Sequence, residues 1–299
     1  VSAGVPLTHA VSPIPAPFAS AELIEGNGIS AIGLGDPIDP PRQVGFLDGI
    51  QRYAVEGRIG LTPVIRGYVA AAVLVREGGS LRAAVHESEE FVVAPLDRLS
   101  SSQRAVLESV GLPLRNSAAG ERAHPILDIQ IAAKVVEGLR ESVELQVAHA
   151  YLAHFPDTPW LVVDGSIVGL GAALQEHQRV LGVIKSHDTQ FLAGRDLEVA
   201  LTIPAGHRTS MFARTVGRQT VVYTWYLRLW PWEEHELLHG LVRVERPAVD
   251  QSVADASTVS RWLLAERAPL AAPDGRWDRL LYPIRQVETY LRAQAGGWW

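Results

Sequence analysis

The chain has 299 residues, 47% of them hydrophobic and 20% charged, which excludes a disordered chain and allows one large core or two modest ones. It has no cysteine, so disulfides, thiolate metal sites and cysteine nucleophiles are excluded and any metal falls to carboxylates or the ten histidines. A net charge of −6 is the wrong sign for holding long nucleic acid by the overall field; with no bilayer-length apolar run and no signal-peptide pattern, the chain reads as soluble and cytoplasmic, without a membrane partner.

Residues 1–42 are rich in Pro, Gly, Ala and Ser, including Pro13, Pro15, Pro17, Pro37, Pro40 and Pro41, and read as an irregular N-terminal arm with at most one short helix; residues 43–299 read as one domain. Val44 to Asp48 has strand character. Val64 to Val75 and Leu81 to Val93 are β-rich, separated by Gly78 and Gly79, and an antiparallel meander is the simplest arrangement. A helix is expected over Ser101 to Val110, then a polar stretch from Asn116 to Arg122. From Pro125, Ile129, Ala132, Val136, Leu139, Val143, Val147 and Ala150 recur at spacings of three and four, predicting a long helix that ends near Phe155 before Pro156 and Pro159. Trp160 to Asp164 and Arg179 to Ile184 read as buried strands, and Thr220 to Leu229 with Leu241 to Glu245 as a strand pair. Ala254 to Glu266 and Ile284 to Ala295 read as helices, the second with Pro283 near its first turn. The fold class expected is therefore α/β, a mixed central sheet flanked by helices.

Two acids stand out. Asp48 and Asp164 each close an apolar strand and precede a glycine, in Phe46-Leu47-Asp48-Gly49 and Val162-Val163-Asp164-Gly165. In an α/β sheet that end of a strand is where ligands bind, and the glycine lets the backbone turn away from the carboxylate. Phosphodiester cleavage with one or two Mg²⁺ or Mn²⁺ ions needs such oxygen ligands. The long helix offers Glu137, Glu141 and Glu144, of which Glu144 borders the apolar stripe and is the preferred third ligand. The bland reading stands beside this one: Asp-Gly is common turn chemistry, and helix glutamates usually form a solvated face.

These landmarks resemble the NurA nucleases, whose pattern is Asp-Gly after a first strand, a helix glutamate, and a second strand ending in Asp-Gly-Ser, here Asp48-Gly49, Glu144 and Asp164-Gly165-Ser166. Val183-Ile184-Lys185-Ser186 is similar to the family's lysine-ended strand, Arg243-Val244-Glu245-Arg246-Pro247 to its late Arg-x-Glu-x-Pro strand, and Tyr282-Pro283 to the opening of its terminal helix. The resemblance implies an RNase H-like core over residues 43–299 and a Mn²⁺- or Mg²⁺-dependent deoxyribonuclease that acts on DNA ends. It also implies a homodimer working with a HerA-type hexameric ATPase. The implied catalytic set is Asp48, Glu144, Asp164 and Lys185, with the three acids holding metal and Asp188 a candidate further ligand. Arg52, Arg66, Arg140 and Lys185 are candidates to line a DNA channel. Two departures are visible: Tyr290 falls where the family often has histidine, and the first motif is Asp-Gly-Ile instead of Asp-Gly-Ser. Tyr290 leaves room for a second class of function, a catalytically weak scaffold subunit that docks on an ATPase ring.

A third class comes from His235-Glu236-Leu237-Leu238-His239, which matches the H-E-x-x-H of zinc peptidases. That chemistry needs a helix, so that both histidines share one face. With Pro231 before it, Gly240 after it and strands on either side, the motif reads instead as a hairpin connection. Two local alternatives stay open: Arg140 as a salt-bridge partner of Glu144, and His187-Asp188 as the cap of a helix from Thr189. Trp298 and Trp299 either anchor a partner or pack back on the chain.

Overall fold

The computed structural model describes residues 19, 21–77, 80–120, 122–155, 160–170, 177–216, 219–268 and 276–298. Its longest elements are the strands β3 (Val44–Ile59), β4 (Thr62–Glu77) and β5 (Ser80–Ala94), paired antiparallel as a meander. β3 also runs parallel to β7 (Trp160–Asp164), which runs parallel to β8 (Val180–Ile184). Beyond β8 the sheet turns antiparallel through β12 (Leu241–Pro247), β11 (Gln219–Arg228) and β10 (Phe212–Val216). β6 (Leu114–Asn116) edges β5, and β9 (His207–Thr209) pairs β11 off the main path. Within the stretch that reads as an arm, β1 (Ala21–Leu23) pairs β10 and β2 (Ala31–Gly33) pairs β9, so at least these residues join the sheet.

The core has two sides, and β4 shows why. Its residues are buried almost throughout, the pattern of a strand covered on both faces. Val69, Ala71, Val73 and Val75 face one cluster, where α2 (Leu127–His154) lays Ala132, Val136, Val143, Val147 and Tyr151 across β3, β4 and β5. Tyr68, Ala70, Ala72 and Leu74 face the other, filled by Trp262 and Leu263 of α4 (Asp250–Ala265) and by Ile284, Val287 and Leu291 of α5 (Tyr282–Gln294). Alternation along one strand thus assigns α2 to one face and α4 and α5 to the other. The smaller helix α1 (Ser101–Glu108) starts at a capping box between Ser100 and Gln103. A mixed central sheet flanked by helices is the RNase H-like architecture expected from the sequence.

The helix expected from Thr189 starts later, as α3 (Gly194–Thr202), so His187-Asp188 does not cap it. Pro156, Pro159, Gly78, Gly79 and Trp299 lie outside the described residues. Trp298 packs back on the chain, with its ring 6.0 Å from that of Tyr68 and the Arg66 guanidinium 5.6 Å from its centre.

Candidate active site

β3 and β7 pair only as far as Leu47 and Val163. The next residues are Asp48 and Asp164, side by side where β7 stops while β3 runs on. Asp48 has the parity of Phe46 and Ile50, and Asp164 that of Val162, so both project towards the α4–α5 face. Glu144 comes from α2 on the opposite face. It reaches the same place because Gly49 has no side chain: a Cβ there would overlap the Glu144 carboxylate. The end of β7 therefore lets acids from both faces of the sheet approach the same stretch of β3, close enough for their charges to act on one another. Gly165, at φ 125°, turns the chain away from Asp164 in a conformation that L side chains rarely adopt.

Each acid has a distinct neighbourhood. Asp164 Oδ2 accepts from Lys185 Nζ at 2.6 Å. Glu144, buried, is bonded by Arg140 one helical turn earlier, and Arg140 Nε also donates to Gln51 Oε1 at 3.0 Å. Asp48 Oδ1 accepts from the Gly49 N–H at 2.8 Å. Burial, and then the negative charge of Asp164, push the Asp48 carboxyl well above the usual carboxylate range; Lys185 opposes the rise, while Glu144 and Glu288 add to it. Glu144 is also raised, by burial first, with Arg140 pulling it back and Asp164 adding to the rise.

Glu288 was not among the residues singled out from sequence. It lies on α5 between Val287 and Leu291, at the border of the apolar face, and is held by Arg292 at 2.5 Å. That border position, the same that marks Glu144 on α2, was the available signal. Tyr290, two residues on, meets His86 edge-on with ring centres 5.5 Å apart.

The Asp-Gly-Ser turn after β7 and the late Arg-x-Glu-x-Pro strand prove to be one device. Ser166 Oγ and the Ile167 N–H donate to Glu245 Oε2 at 2.6 and 3.1 Å, while Arg243 and Arg214 reach Glu245 Oε1 at 2.5 and 3.2 Å. Glu245 is wholly buried. The turn after Asp164 is thereby tied to β12 and β10, which fixes the backbone that carries the acid.

The remaining candidates are placed elsewhere. Arg52 stands four residues past Asp48 on β3, roughly 13 Å along an extended strand. Arg66, on β4, pairs Glu90 and Glu56. Asp188 is exposed and lines a neighbouring cavity with Lys185 and His187. Burial lowers the His187 imidazole, and its Nε2 bonds the Leu241 carbonyl at 3.0 Å. The H-E-x-x-H motif occupies turns between β11 and β12, with the His235 and His239 rings stacked 4.0 Å apart; a helix does not present them together to a metal.

The donor chemistry fits a hard divalent cation. The carboxylates around Asp48 are oxygen donors, with Lys185 beside them; burial first and then the charge of Asp164 raise its carboxyl, and a cation would relieve the second of these. The side chains, however, are not arranged around one: Lys185 and Arg140 hold Asp164 and Glu144, and among the described residues no three His, Asp or Glu side chains are grouped to hold a metal.

The architecture has a counterpart among solved structures. The NurA nuclease from Sulfolobus solfataricus superposes with a TM-score of 0.52 at 12% identity, over 85% of this chain and 80% of that one. The chain thus has the fold of a NurA nuclease, within the RNase H-like class. Endonuclease V from Bacillus subtilis (TM-score 0.34, 11% identity, 88% of this chain and 85% of that one) and the catalytic domain of human endonuclease V (0.33, 15%, 85% and 82%) are more distant. No protein-family model and no curated protein sequence matches the chain.

Proposed function

We propose that this protein is a divalent-metal-dependent nuclease acting on DNA ends, with Asp48, Glu144 and Asp164 holding Mg²⁺ or Mn²⁺. The observation that carries the reading is the approach of these acids, from two strands and a helix on opposite faces, to the end of β7, where their charges act on one another. When bound, the metal would activate water and neutralise charge on the leaving oxygen. The chain's own residues supply the rest. Arg140 holds Glu144 against Gly49, the Glu245 tie fixes the turn behind Asp164, and Lys185 places a cation beside the acids, where charge builds on a phosphoryl group. A HerA-type hexameric ATPase and a second copy of the chain complete the proposed assembly. A motor that grips DNA would offset the unfavourable charge of −6.

A second reading, a catalytically weak scaffold docking on an ATPase ring, is favoured by the side-chain arrangement as it stands: two of the three acids are already neutralised by the chain's own cations, and Tyr290 packs on His86. The test is degradation of end-labelled linear DNA with Mn²⁺ or EDTA, by wild type, Asp48→Asn and Asp164→Asn, with and without the ATPase. The nuclease reading expects metal-dependent loss of label that falls at least about a hundredfold in either variant, since each removes a metal ligand. Ring binding by all three proteins without cleavage would establish the scaffold.

A further inference from the structure

Of the chain's 27 basic residues two are lysines, Lys134 and Lys185. Lys134 is exposed on α2, whereas Lys185 stands one residue past β8 with the parity of Val183, and so projects from the same face as Asp164. β8 pairs with β12 only as far as Ile184, so the ladder does not fix the Lys185 peptide. Arg279 does, because its Nη1 donates to the Lys185 carbonyl at 3.0 Å. A lysine stem is flexible, and where its Nζ rests depends on how firmly the backbone beneath it is held. Arg279 is braced in turn. Its Nε lies 3.3 Å from Oδ2 of the buried Asp278, and the same oxygen accepts from the Gly240 N–H at 2.7 Å and lies 3.7 Å from His239 Nδ1. Gly240 sits at φ 66°, and a Cβ there would come 2.7 Å from the Trp230 carbonyl oxygen, so the turn requires glycine. Wholly buried Arg228 donates to the Leu237 carbonyl at 2.9 Å and to that of His239, which fixes the turn that carries Gly240. A series of polar contacts thus runs from the H-E-x-x-H turn through Asp278, Arg279 and Lys185 to Asp164.

We propose that Asp278 and Arg279 are positioning residues for strand cleavage, holding the Lys185 peptide so that Nζ stays beside Asp164, where charge develops on the phosphoryl group. The proposal rests on the nuclease reading, since that is the reaction Lys185 serves. It gives the His235–His239 stretch a task other than zinc chemistry: this turn is the far support of the series, and it reaches the acid centre through a guanidinium and an ammonium. A merely structural role would tie the β11–β12 turn to residues 277–279 and go no further. The two differ in whether the effect of Arg279 passes through Lys185.

The first measurement is NMR in EDTA on protein carrying isotope-labelled lysine, for wild type, Arg279→Ala and Asp278→Asn. With two lysines in the chain, the side-chain spectrum holds one signal from the site and one reference from exposed Lys134. Both variants should move the Lys185 signal towards that of Lys134 and leave the Lys134 signal in place. Movement of both signals would mark an unfolded Arg279→Ala, and the milder Asp278→Asn, which keeps an acceptor for the Gly240 N–H, then decides. The second measurement is a double-mutant cycle on cleavage of end-labelled DNA with Mn²⁺ and the ATPase. Arg279→Ala should lower kcat about tenfold, the equivalent of one hydrogen bond to a charged group, with KM within about twofold of wild type. In a Lys185→Ala background it should cause no further loss. Losses that add, or a Lys185 signal that stays at its wild-type position in both variants, overturn the positioning role and leave the acid centre standing. Absence of metal-dependent cleavage by the wild-type protein overturns the nuclease reading and this role with it.

Discussion

A methyl group at Gly45 would lie 2.6 Å from the Tyr151 ring, and one at Gly49 would overlap the Glu144 carboxylate. The two neighbours differ in how far they can give way. Tyr151 is wholly buried and wedged in the core, so Gly45→Ala should cost about 1–3 kcal/mol of stability, read by urea unfolding. Glu144 meets Gly49 with the far end of a flexible side chain that Arg140 holds in place. Gly49→Ala should therefore cost less stability than Gly45→Ala yet lose cleavage, because the displaced carboxylate leaves the other two acids. A Gly49→Ala protein as unstable as Gly45→Ala would contradict this account of the site. Asp48 gives the pH dependence. Its carboxyl is raised in the folded chain, so the folded state binds the extra proton and metal-free stability falls as pH rises from the ordinary carboxylate range through the raised value. Asp48→Asn removes that penalty: in metal-free buffer it should melt above wild type at pH 8 and lose this advantage towards pH 4. An advantage independent of pH would show that the raised carboxyl is not the cause.

At the level of elements, the late strand β12 matters through Glu245, which gathers two arginines and the turn after Asp164. Removing one partner of a buried ionic group strands the others, so Glu245→Ala should cost about 3–5 kcal/mol. Chemical denaturation of this variant beside Ser166→Ala, which removes only one hydroxyl contact, should show Ser166→Ala losing much less. This link also marks where the sequence stopped being readable. Strands and helices followed from period and punctuation: α2 occupies Leu127–His154 within the stripe ending near Phe155, and β7 occupies Trp160–Asp164 as expected. β3 runs eleven residues past Asp48, where Arg52, Glu56, Arg58 and two glycines give no alternating apolar signal. The strand persists there because β4 pairs it, which is a tertiary cause. Asp164 was legible as a strand-end acid, whereas Asp48, expected at the end of its strand, lies in the middle of β3 and is set beside Asp164 because β7 ends there. Their proximity to Glu144 depended on β7 stopping short, and that of Glu288 on the docking of α5, neither of which a single sequence displays.

Across the whole molecule, the cations nearest the acids are paired within the chain. The chain is acidic, Lys185 is held by Asp164, Arg279 lies beside Asp278, and Arg66 is bound by Glu56 and Glu90 on the meander. An isolated protein of this kind has little long-range attraction for DNA, so cleavage should depend on the ATPase more steeply as salt rises. No helix of the described residues is long and apolar enough to cross a membrane.

β3, beyond its last residue paired with β7, has one more consequence. From Arg52 to Arg58 its residues are exposed while its other side is paired with β4, so among the described residues one margin of a long strand has no strand beside it. Such a margin is a template on which another chain can add, the first step towards aggregation. Here the register slips between Val55 and Gly57, and Arg52, Glu56 and Arg58 punctuate the stretch with charge. A slipped, charged margin is a poor template, which lets the meander extend into solvent while neighbouring molecules stay apart in a crowded cell.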